Sequence, residues 1–260
     1  MPARLSYAYA VMMFVVAAME EELKTCMELC QDVRRIPGAD IPMWQAGTAK
    51  GTPLAFLRTG IGPEKSTARI RKALNRIAPD LILIAGYAGA LDPGLKIGDL
   101  VAVTRATAFS LNEKRPDWNN VEADTPINLT HVDTLMTVKA AGLSIIKGSV
   151  LSSRHVLGNP EHKNLLFRRF HASAVDMETA FLVREAAARK IPVSALRVIS
   201  DTAHDSFLEP FERNPDLKLT DRALKLLRAG PVSSLRKWKT RAAAAREALR
   251  RFWETHLENF

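Results

Sequence analysis

The chain has 260 residues, of which 47% are hydrophobic and 25% charged, as in an ordinary globular protein. This composition excludes a disordered or fibrous protein, and the length suits one large α/β domain or two small ones. The two cysteines, Cys26 and Cys30, have an i, i+4 spacing on a predicted helix, which is neither a redox CxxC motif nor a zinc pattern. The six histidines show no companion spacing, so we predict neither a metal nor a cofactor.

The formal charge of +9 is concentrated near the C terminus, where residues 228–260 hold eight basic and three acidic residues. From residue 221 onward the apolar residues step by three or four and form one helical stripe: Leu224, Leu227, Leu235, Trp238, Ala242, Ala245, Leu249, Phe252 and His256. We predict a basic amphipathic helix over residues 231–260 that packs on the domain or on a second subunit. A membrane-surface helix is the alternative, because basic flanks around Trp and Phe suit anionic headgroups. Nucleic-acid binding is disfavoured, because no recognition motif accompanies the charge.

The apolar segment over residues 8–19 runs directly into Glu20, Glu21 and Glu22. It lacks the small residues of a signal-peptide cleavage site and is shorter than the roughly 20 residues of a membrane span. We therefore predict an N-terminal tail over residues 1–13, a first strand buried on both faces, and a cytoplasmic protein.

Predicted strands and helices alternate through residue 200, which indicates a single α/β domain over residues 14–230. The predicted strands cover residues 13–19, 42–50, 52–60, 80–90, 100–109, 147–152 and 193–199. The predicted helices cover residues 21–33, 64–77, 134–141, 160–170 and 178–190. The polar residues 110–128 predict a long functional loop or lid.

Two carboxylates stand out between residues 174 and 205. Glu178 lies in the first turn of a predicted helix, and Asp201 falls at the carboxyl end of a buried strand, where open α/β sheets bind their ligands. Two acids at this edge form a candidate acid/base pair. The structural alternative for Glu178 is a helix-entry glutamate stabilised by the helix dipole.

Glycines lie at the ends of two predicted strands. Gly60 and Gly62 separate a strand from a helix, where free backbone amides can meet an anion or a polar ligand, and a plain tight turn is the alternative. Gly86 and Gly89 end the apolar strand over residues 80–90.

Five short segments resemble the nucleoside phosphorylase superfamily. They are AAMEEEL at 17–23, TGIG at 59–62, AGYAGAL at 85–91, VDMETA at 175–180 and RVISDTA at 197–203. More narrowly, they look like the methylthioadenosine/S-adenosylhomocysteine nucleosidase branch. The resemblance implies a three-layer α/β sandwich with a central mixed sheet, a homodimer, and cleavage of a purine N-glycosidic bond without a cofactor.

The same resemblance implies a role for each matched residue. Asp201 corresponds to the general acid that protonates the leaving base, which requires a carboxyl group carrying a proton at neutral pH. Glu178 corresponds to the residue that binds the ribose hydroxyls, with Met177 packing on the sugar. Glu22 corresponds to the residue that activates the attacking water, with Arg197 and Ser200 nearby. The other expected substrate contacts are Met19, Gly60, Tyr87, Ala88, Gly89, Val156 and Leu157.

The acidic triplet after the first strand favours hydrolysis. Phosphorylases of the superfamily carry a glycine-rich segment with an arginine there, whereas this chain has Glu20, Glu21 and Glu22, which repel phosphate. A phosphate-dependent purine nucleoside phosphorylase is therefore the alternative.

Three features depart from the nucleosidase pattern: Tyr87, where a small hydroxyl residue is expected, Arg154, and the basic C-terminal extension. They fit the hopanoid-associated nucleosidase family, which removes adenine from adenosylhopane to leave ribosylhopane. A lipid-linked substrate gives the basic amphipathic helix a reason to contact the membrane. Methylthioadenosine, S-adenosylhomocysteine and futalosine are the alternative substrates, and a non-enzymatic, membrane-associated nucleoside-binding scaffold is the competing class.

Overall fold

The computed structural model describes residues 12–111, 118, 120–137, 143–206 and 232–258, and of residues 232–239 only the backbone. Most of the predicted N-terminal tail lies outside these residues, as do Leu224 and Leu227 and the side chains of Leu235 and Trp238.

Within the described residues, eleven strands form one mixed sheet. They are β1 (Met13–Ala17), β2 (Gln31–Arg35), β3 (Met43–Gly47), β4 (Pro53–Arg58), β5 (Leu81–Ala90), β6 (Leu100–Ser110), β7 (Glu122–Ala123), β8 (Ile127–Asn128), β9 (Ile145–Ser153), β10 (Ala174–Asp176) and β11 (Val193–Asp201). The strand order is β10-β9-β6-β11-β5-β1-β4-β3-β2, and β7 and β8 pair with β6. Because β10 also pairs with β5, the strands β5, β11, β6, β9 and β10 close into a ring.

The most apolar strands lie at the centre of the sheet. Every residue of β1 is buried, and β1 runs parallel to both β4 and β5. Strand β11 runs parallel to β5 on its other side and antiparallel to β6. Apolar strands of this kind need cover on both faces. The sheet contains parallel and antiparallel pairs and is accompanied by helices, so the prediction of a mixed sheet flanked by helices is confirmed.

Six helices accompany the sheet in the described part of the chain. They are α1 (Glu20–Met27), α2 (Pro63–Leu74), α3 (Asp133–Met136), α4 (Pro160–Phe170), α5 (Thr179–Ala187) and α6 (Val232–Leu257). Helix α4 begins where the Asn159 side chain accepts a hydrogen bond from the Glu161 amide, and it ends at His171 in the left-handed conformation.

Helix α1 is shorter than predicted. It ends at Met27, and residues 31–35 form the edge strand β2 instead of continuing the helix to residue 33. All five β2 residues are exposed, and their sequence does not alternate between apolar and polar residues. Backbone pairing with β3 holds the strand in place. Likewise α3 spans only Asp133–Met136 of the predicted helix 134–141, whose later residues fall outside the described part.

The predicted lid over residues 110–128 is packed onto the domain where the structure describes it. Strands β7 and β8 pair with β6, and Val121 is buried in a second apolar cluster with Phe109 and Leu157. Trp118 stacks on His162 of α4, with the ring centroids 4.0 Å apart.

Helix α6 packs inside the molecule against α1 and β11. Ala245, Leu249, Phe252 and Trp253 have no exposed surface and belong to the main core, and His256 is also buried. The described part of the predicted apolar stripe, from Ala245 to His256, is therefore used in internal packing, and charged residues such as Arg246 and Arg250 are exposed. No helix in the part of the chain that is described is both long and apolar enough to cross a membrane.

Candidate active site

A cavity of about 180 Å³ lies where β1, β5, β10 and β11 reach their ends. Eleven of the predicted site residues line it: Met19, Glu22, Tyr87, Ala88, Gly89, Val156, Leu157, Met177, Glu178, Ser200 and Asp201. The sequence places these residues on five separate segments, and the sheet topology brings the segments to one edge.

Glu22 projects from the first turn of α1 and is buried. Its carboxylate accepts hydrogen bonds from the backbone amides of Met19, at 2.7 Å, and Tyr87, at 2.9 Å. Burial raises the pKa of Glu22 to about 7, although the nearby Arg197 guanidinium and the two amides oppose the shift. Near neutral pH the carboxyl group is thus able to gain or lose a proton.

Glu178 is the N-cap residue of α5, yet its side chain makes no capping hydrogen bond. Instead, the carboxylate accepts a 2.8 Å hydrogen bond from the amide of Gly62, across the cavity edge. Burial raises the pKa of Glu178 to about 8, and the negative charge of Asp176 adds to the shift. The orientation toward Gly62 argues against the structural alternative of a glutamate that serves only the helix dipole.

Arg197 and Asp176 form a buried ion pair close to the carboxyl groups of Glu22 and Glu178. Arg197 is 1% exposed, lies 2.7 Å from the Asp176 carboxylate and donates through Nε to the Thr179 hydroxyl at 2.8 Å. Asp176 also accepts hydrogen bonds from the Ser152 hydroxyl, at 2.5 Å, and from the amide of Thr179. Arg197 does not line the cavity, and its predicted catalytic role stays a prediction.

Asp201 ends β11, and both of its carboxylate oxygens have a partner. Oδ1 accepts a hydrogen bond from the Ser200 hydroxyl at 2.8 Å, and Oδ2 accepts one from the ammonium group of Lys163. Lys163 comes from α4 and has no exposed surface. This contact was not foreseen, because a lysine on an otherwise amphipathic helix normally predicts a solvated side chain.

The glycines of β5 provide the space for the acidic side chains. A Cβ atom at Gly86 would overlap the Arg197 guanidinium and lie 2.7 Å from the Glu22 carboxylate. A Cβ atom at Gly89 would lie 2.8 Å from Asp201 Oδ2. Real Cβ contacts are not this short, so β5 must carry glycine beside both carboxylates.

Gly60 does not line the cavity, so the structure does not place it with the other predicted substrate contacts. Its amide donates to the carbonyl oxygen of Ala18 and is unavailable to a ligand. Gly62, at φ 92°, instead directs its amide to Glu178, and the neighbouring Ile61 lines the cavity. The glycine-rich turn therefore binds a carboxyl group, and that group is a side chain of the same protein.

Tyr87 forms part of the wall and leaves the cavity open. Val156, Leu157 and Met177 provide apolar surface around it. Arg154, the residue foreign to the nucleosidase pattern, is exposed and pairs with Glu64 outside the cavity.

Helix α6 also contributes to the site, which the sequence did not indicate. Arg241 and Ala242 line the cavity, and the Arg241 guanidinium pairs with Asp205 just after β11. Asp176, His155 and Ile61 are further lining residues that sequence reasoning missed. Of these, Asp176 could have been predicted from the sequence, because it lies two positions before Glu178.

The cavity is rich in acids. Glu21, Glu22, Asp176, Glu178 and Asp201 line it, against His155 and Arg241 as basic groups. Within the described ranges, no group of three or more His, Cys, Asp or Glu side chains is arranged to hold a metal ion.

The fold and the site define a class of protein: an α/β protein with an acidic ligand cavity at the strand ends of a mixed sheet. A family model for the Phosphorylase superfamily matches residues 13–229, and the chain belongs to that superfamily.

Two nucleosidases are among its relatives in sequence. The 5'-methylthioadenosine/S-adenosylhomocysteine nucleosidase of Staphylococcus carnosus is 26% identical over 200 residues, covering 74% of this chain and 87% of that protein. The enzyme of the same name from Haemophilus ducreyi is 25% identical over 206 residues, covering 75% and 88%.

Solved structures share the fold. Native futalosine hydrolase of Helicobacter pylori superimposes with a TM-score of 0.73 at 18% identity, covering 96% of this chain and 99% of that one. The 5'-methylthioadenosine/S-adenosylhomocysteine nucleosidase of Helicobacter pylori with butyl-thio-DADMe-Immucillin-A gives a TM-score of 0.73 at 19% identity, covering 97% and 100%.

Proposed function

We propose that this protein hydrolyses the N-glycosidic bond of an adenine nucleoside. The observation that carries the proposal is the meeting of Glu22, Glu178 and Asp201, from three distant segments, around one cavity. The names of the nucleosidase relatives support the same reaction class.

Each carboxylate has a separate task in the proposed reaction. As the bond between the ribose and the base breaks, its electron pair goes to the base, and Asp201 donates a proton to N7 of adenine. Glu178 binds the ribose hydroxyls by hydrogen bonds through its carboxyl group. Glu22 takes a proton from water as the water oxygen bonds to the anomeric carbon, which its pKa of about 7 suits.

The charges of the cavity support hydrolysis over phosphorolysis. Phosphate binding needs cations, and of the two basic lining residues Arg241 is already paired with Asp205. Lining carboxylates such as Glu21 would repel a phosphate ion.

The proposed substrate is adenosylhopane, which would give adenine and ribosylhopane. Apolar walls at Ile61, Val156, Leu157 and Met177 suit a nucleoside with an apolar 5′ substituent. Methylthioadenosine or S-adenosylhomocysteine is the second candidate, favoured by the names of the relatives. On the resemblance alone we further propose a homodimer.

The test is release of the free purine base, measured by chromatography, from adenosylhopane, methylthioadenosine, S-adenosylhomocysteine and futalosine in parallel; the first three release adenine and futalosine releases hypoxanthine. We expect adenine from adenosylhopane in phosphate-free buffer, at a higher kcat/KM than from the other adenine nucleosides. Release that requires added phosphate would contradict hydrolysis. Release only from methylthioadenosine would contradict the substrate but not the reaction, and no release from any nucleoside would favour a binding scaffold.

A further inference from the structure

Lys163 is a buried cation that the proposed mechanism does not yet use. It lies on α4, has no exposed surface and contacts the Asp201 carboxylate through Nζ. The same ammonium group donates to the carbonyl oxygens of Thr202, at 2.8 Å, and Asp205, at 3.5 Å. All three of these hydrogen-bond acceptors lie at the end of β11 or in the turn that follows it.

Stability alone is a poor explanation for this contact. A buried ion pair has a desolvation cost close to its Coulombic gain, and apolar residues of similar volume commonly serve as well or better. Leu166, one turn along α4, is an apolar residue fully buried on the same helix. A lysine at position 163 therefore needs a reason connected with Asp201.

The pair fixes the orientation of the carboxyl group. Lys163 contacts Oδ2 while the Ser200 hydroxyl donates to Oδ1, and Gly89 leaves no side chain in the way. With both oxygens held, the Asp201 side chain has little freedom to rotate away from the cavity.

The surroundings balance the charge of Lys163. Asp201 faces it from β11, and the turn that follows contributes the backbone carbonyls of Thr202 and Asp205. The Asp205 carboxylate is turned to the Arg241 guanidinium of α6 and to Thr202. Lys163 is thereby left with Asp201 as its carboxylate partner in the described part of the chain.

We propose that Lys163 is a positioning residue for the reaction, an inference that rests on the proposed function. It holds the Asp201 carboxyl group at the cavity, in place for the proton transfer to the leaving base. Loss of this positioning slows the chemical step and leaves the groups that bind the sugar intact, so the effect belongs in kcat rather than in substrate binding.

The test is a double-mutant cycle on adenine release with Lys163→Met, Asp201→Asn and the double variant. Lys163→Met is expected to lower kcat by about 100-fold while KM changes by less than about threefold. In the Asp201→Asn background the same substitution is expected to change kcat by less than about threefold, because its effect passes through Asp201. Arg168→Met, an exposed residue on the same helix, is the matched control and should retain wild-type rates.

Thermal unfolding separates a folding defect from this role. Each single variant leaves one buried member of the pair without its partner, so both should melt below the double variant. A Lys163→Met protein with wild-type kcat, or an equal loss in the Asp201→Asn background, would overturn the proposal. A wild-type protein that releases no adenine would overturn the proposed function as well, whereas an active wild type with an unaffected Lys163→Met overturns this inference alone.

Discussion

At the scale of single residues, the site keeps two carboxyl groups away from water, and their pKa values are higher than those of exposed carboxyl groups. Glu22 and Glu178 are both buried, and burial raises their pKa values to about 7 and about 8. Backbone amides of Met19, Tyr87 and Gly62 fix the two carboxyl groups in place. The protein therefore holds its proton-exchanging groups near the pH at which they can serve as acid or base.

Folding stability should depend on pH through these raised pKa values. Between the usual carboxyl pKa and about 8, the folded protein binds a proton at Glu178 that the unfolded chain has lost. The stabilising effect is complete at low pH and disappears as the pH rises through about 8, so the free energy of unfolding falls by a few kcal/mol. Urea unfolding at about pH 5 and about pH 8 measures this slope.

Glu178→Gln should flatten that dependence without removing it, because Glu22 still contributes up to about pH 7. Glu161→Gln, at an exposed position of α4, provides the control and should keep the wild-type slope. An unchanged slope in Glu178→Gln would show that its carboxyl group is not buried in the protonated form.

The sequence allowed prediction of some of these residues but not their partners. Glu22, Glu178 and Asp201 were found because each lies in a short segment with a family resemblance, directly after or before an apolar strand. Lys163 had no such signal, since its pairing with Asp201 depends on how α4 crosses the end of β11. Likewise, Gly60 and Gly62 look equivalent in sequence, and only the backbone geometry shows which amide faces Glu178.

At the scale of elements, the site depends on how closely β5 approaches its neighbours. The end of β5 lies between α1, which carries Glu22, and β11, which carries Arg197 and Asp201. Gly86 leaves the space that the Glu22 and Arg197 side chains occupy.

Gly86→Ala should therefore damage the site more than its small volume suggests. The added methyl group would displace the Glu22 carboxylate or the Arg197 guanidinium, both of which are buried. We expect the free energy of unfolding to fall by about 1–3 kcal/mol, and adenine release to fall by at least tenfold. Chemical denaturation and the release assay measure the two effects.

Gly94→Ala is the control, because Gly94 lies in an exposed turn where an added Cβ would meet only the Asp92 carboxylate, at 3.2 Å. If Gly86→Ala behaves like Gly94→Ala, the close approach of the Glu22 and Arg197 side chains to Gly86 is not required.

Element boundaries were predictable where burial and sequence pattern coincide, as in β1, β5 and α4. They were not predictable in β2, whose residues Gln31–Arg35 are all exposed and are held by pairing with β3. The short strands β7 and β8 depend in the same way on β6, which is distant in sequence.

At the scale of the whole molecule, α6 joins the C-terminal region to the site. Its apolar residues complete the core against α1 and β11, and Arg241 and Ala242 close one side of the cavity. The amphipathic pattern predicted the helix and its buried face, while its place beside the cavity depends on tertiary packing. An α6 that served only as an appended membrane helix would not bury these residues.

Phe252→Ala should consequently lower the free energy of unfolding by about 3–5 kcal/mol, because the phenyl ring has no exposed surface. Glu247→Ala, at an exposed position of the same helix, should change it by less than about 0.5 kcal/mol. Urea unfolding provides both values. A Phe252→Ala protein as stable as Glu247→Ala would contradict the packing of α6 on the domain.

The central claim, that the carboxylates of this cavity direct water to the anomeric carbon, is tested most directly by running the reaction in oxygen-18-labelled water without phosphate. The sugar product is expected to carry the label on its anomeric oxygen, with free adenine unlabelled, as mass spectrometry would show. A sugar product without the label, or a sugar phosphate as the sole product once phosphate is supplied, would contradict it.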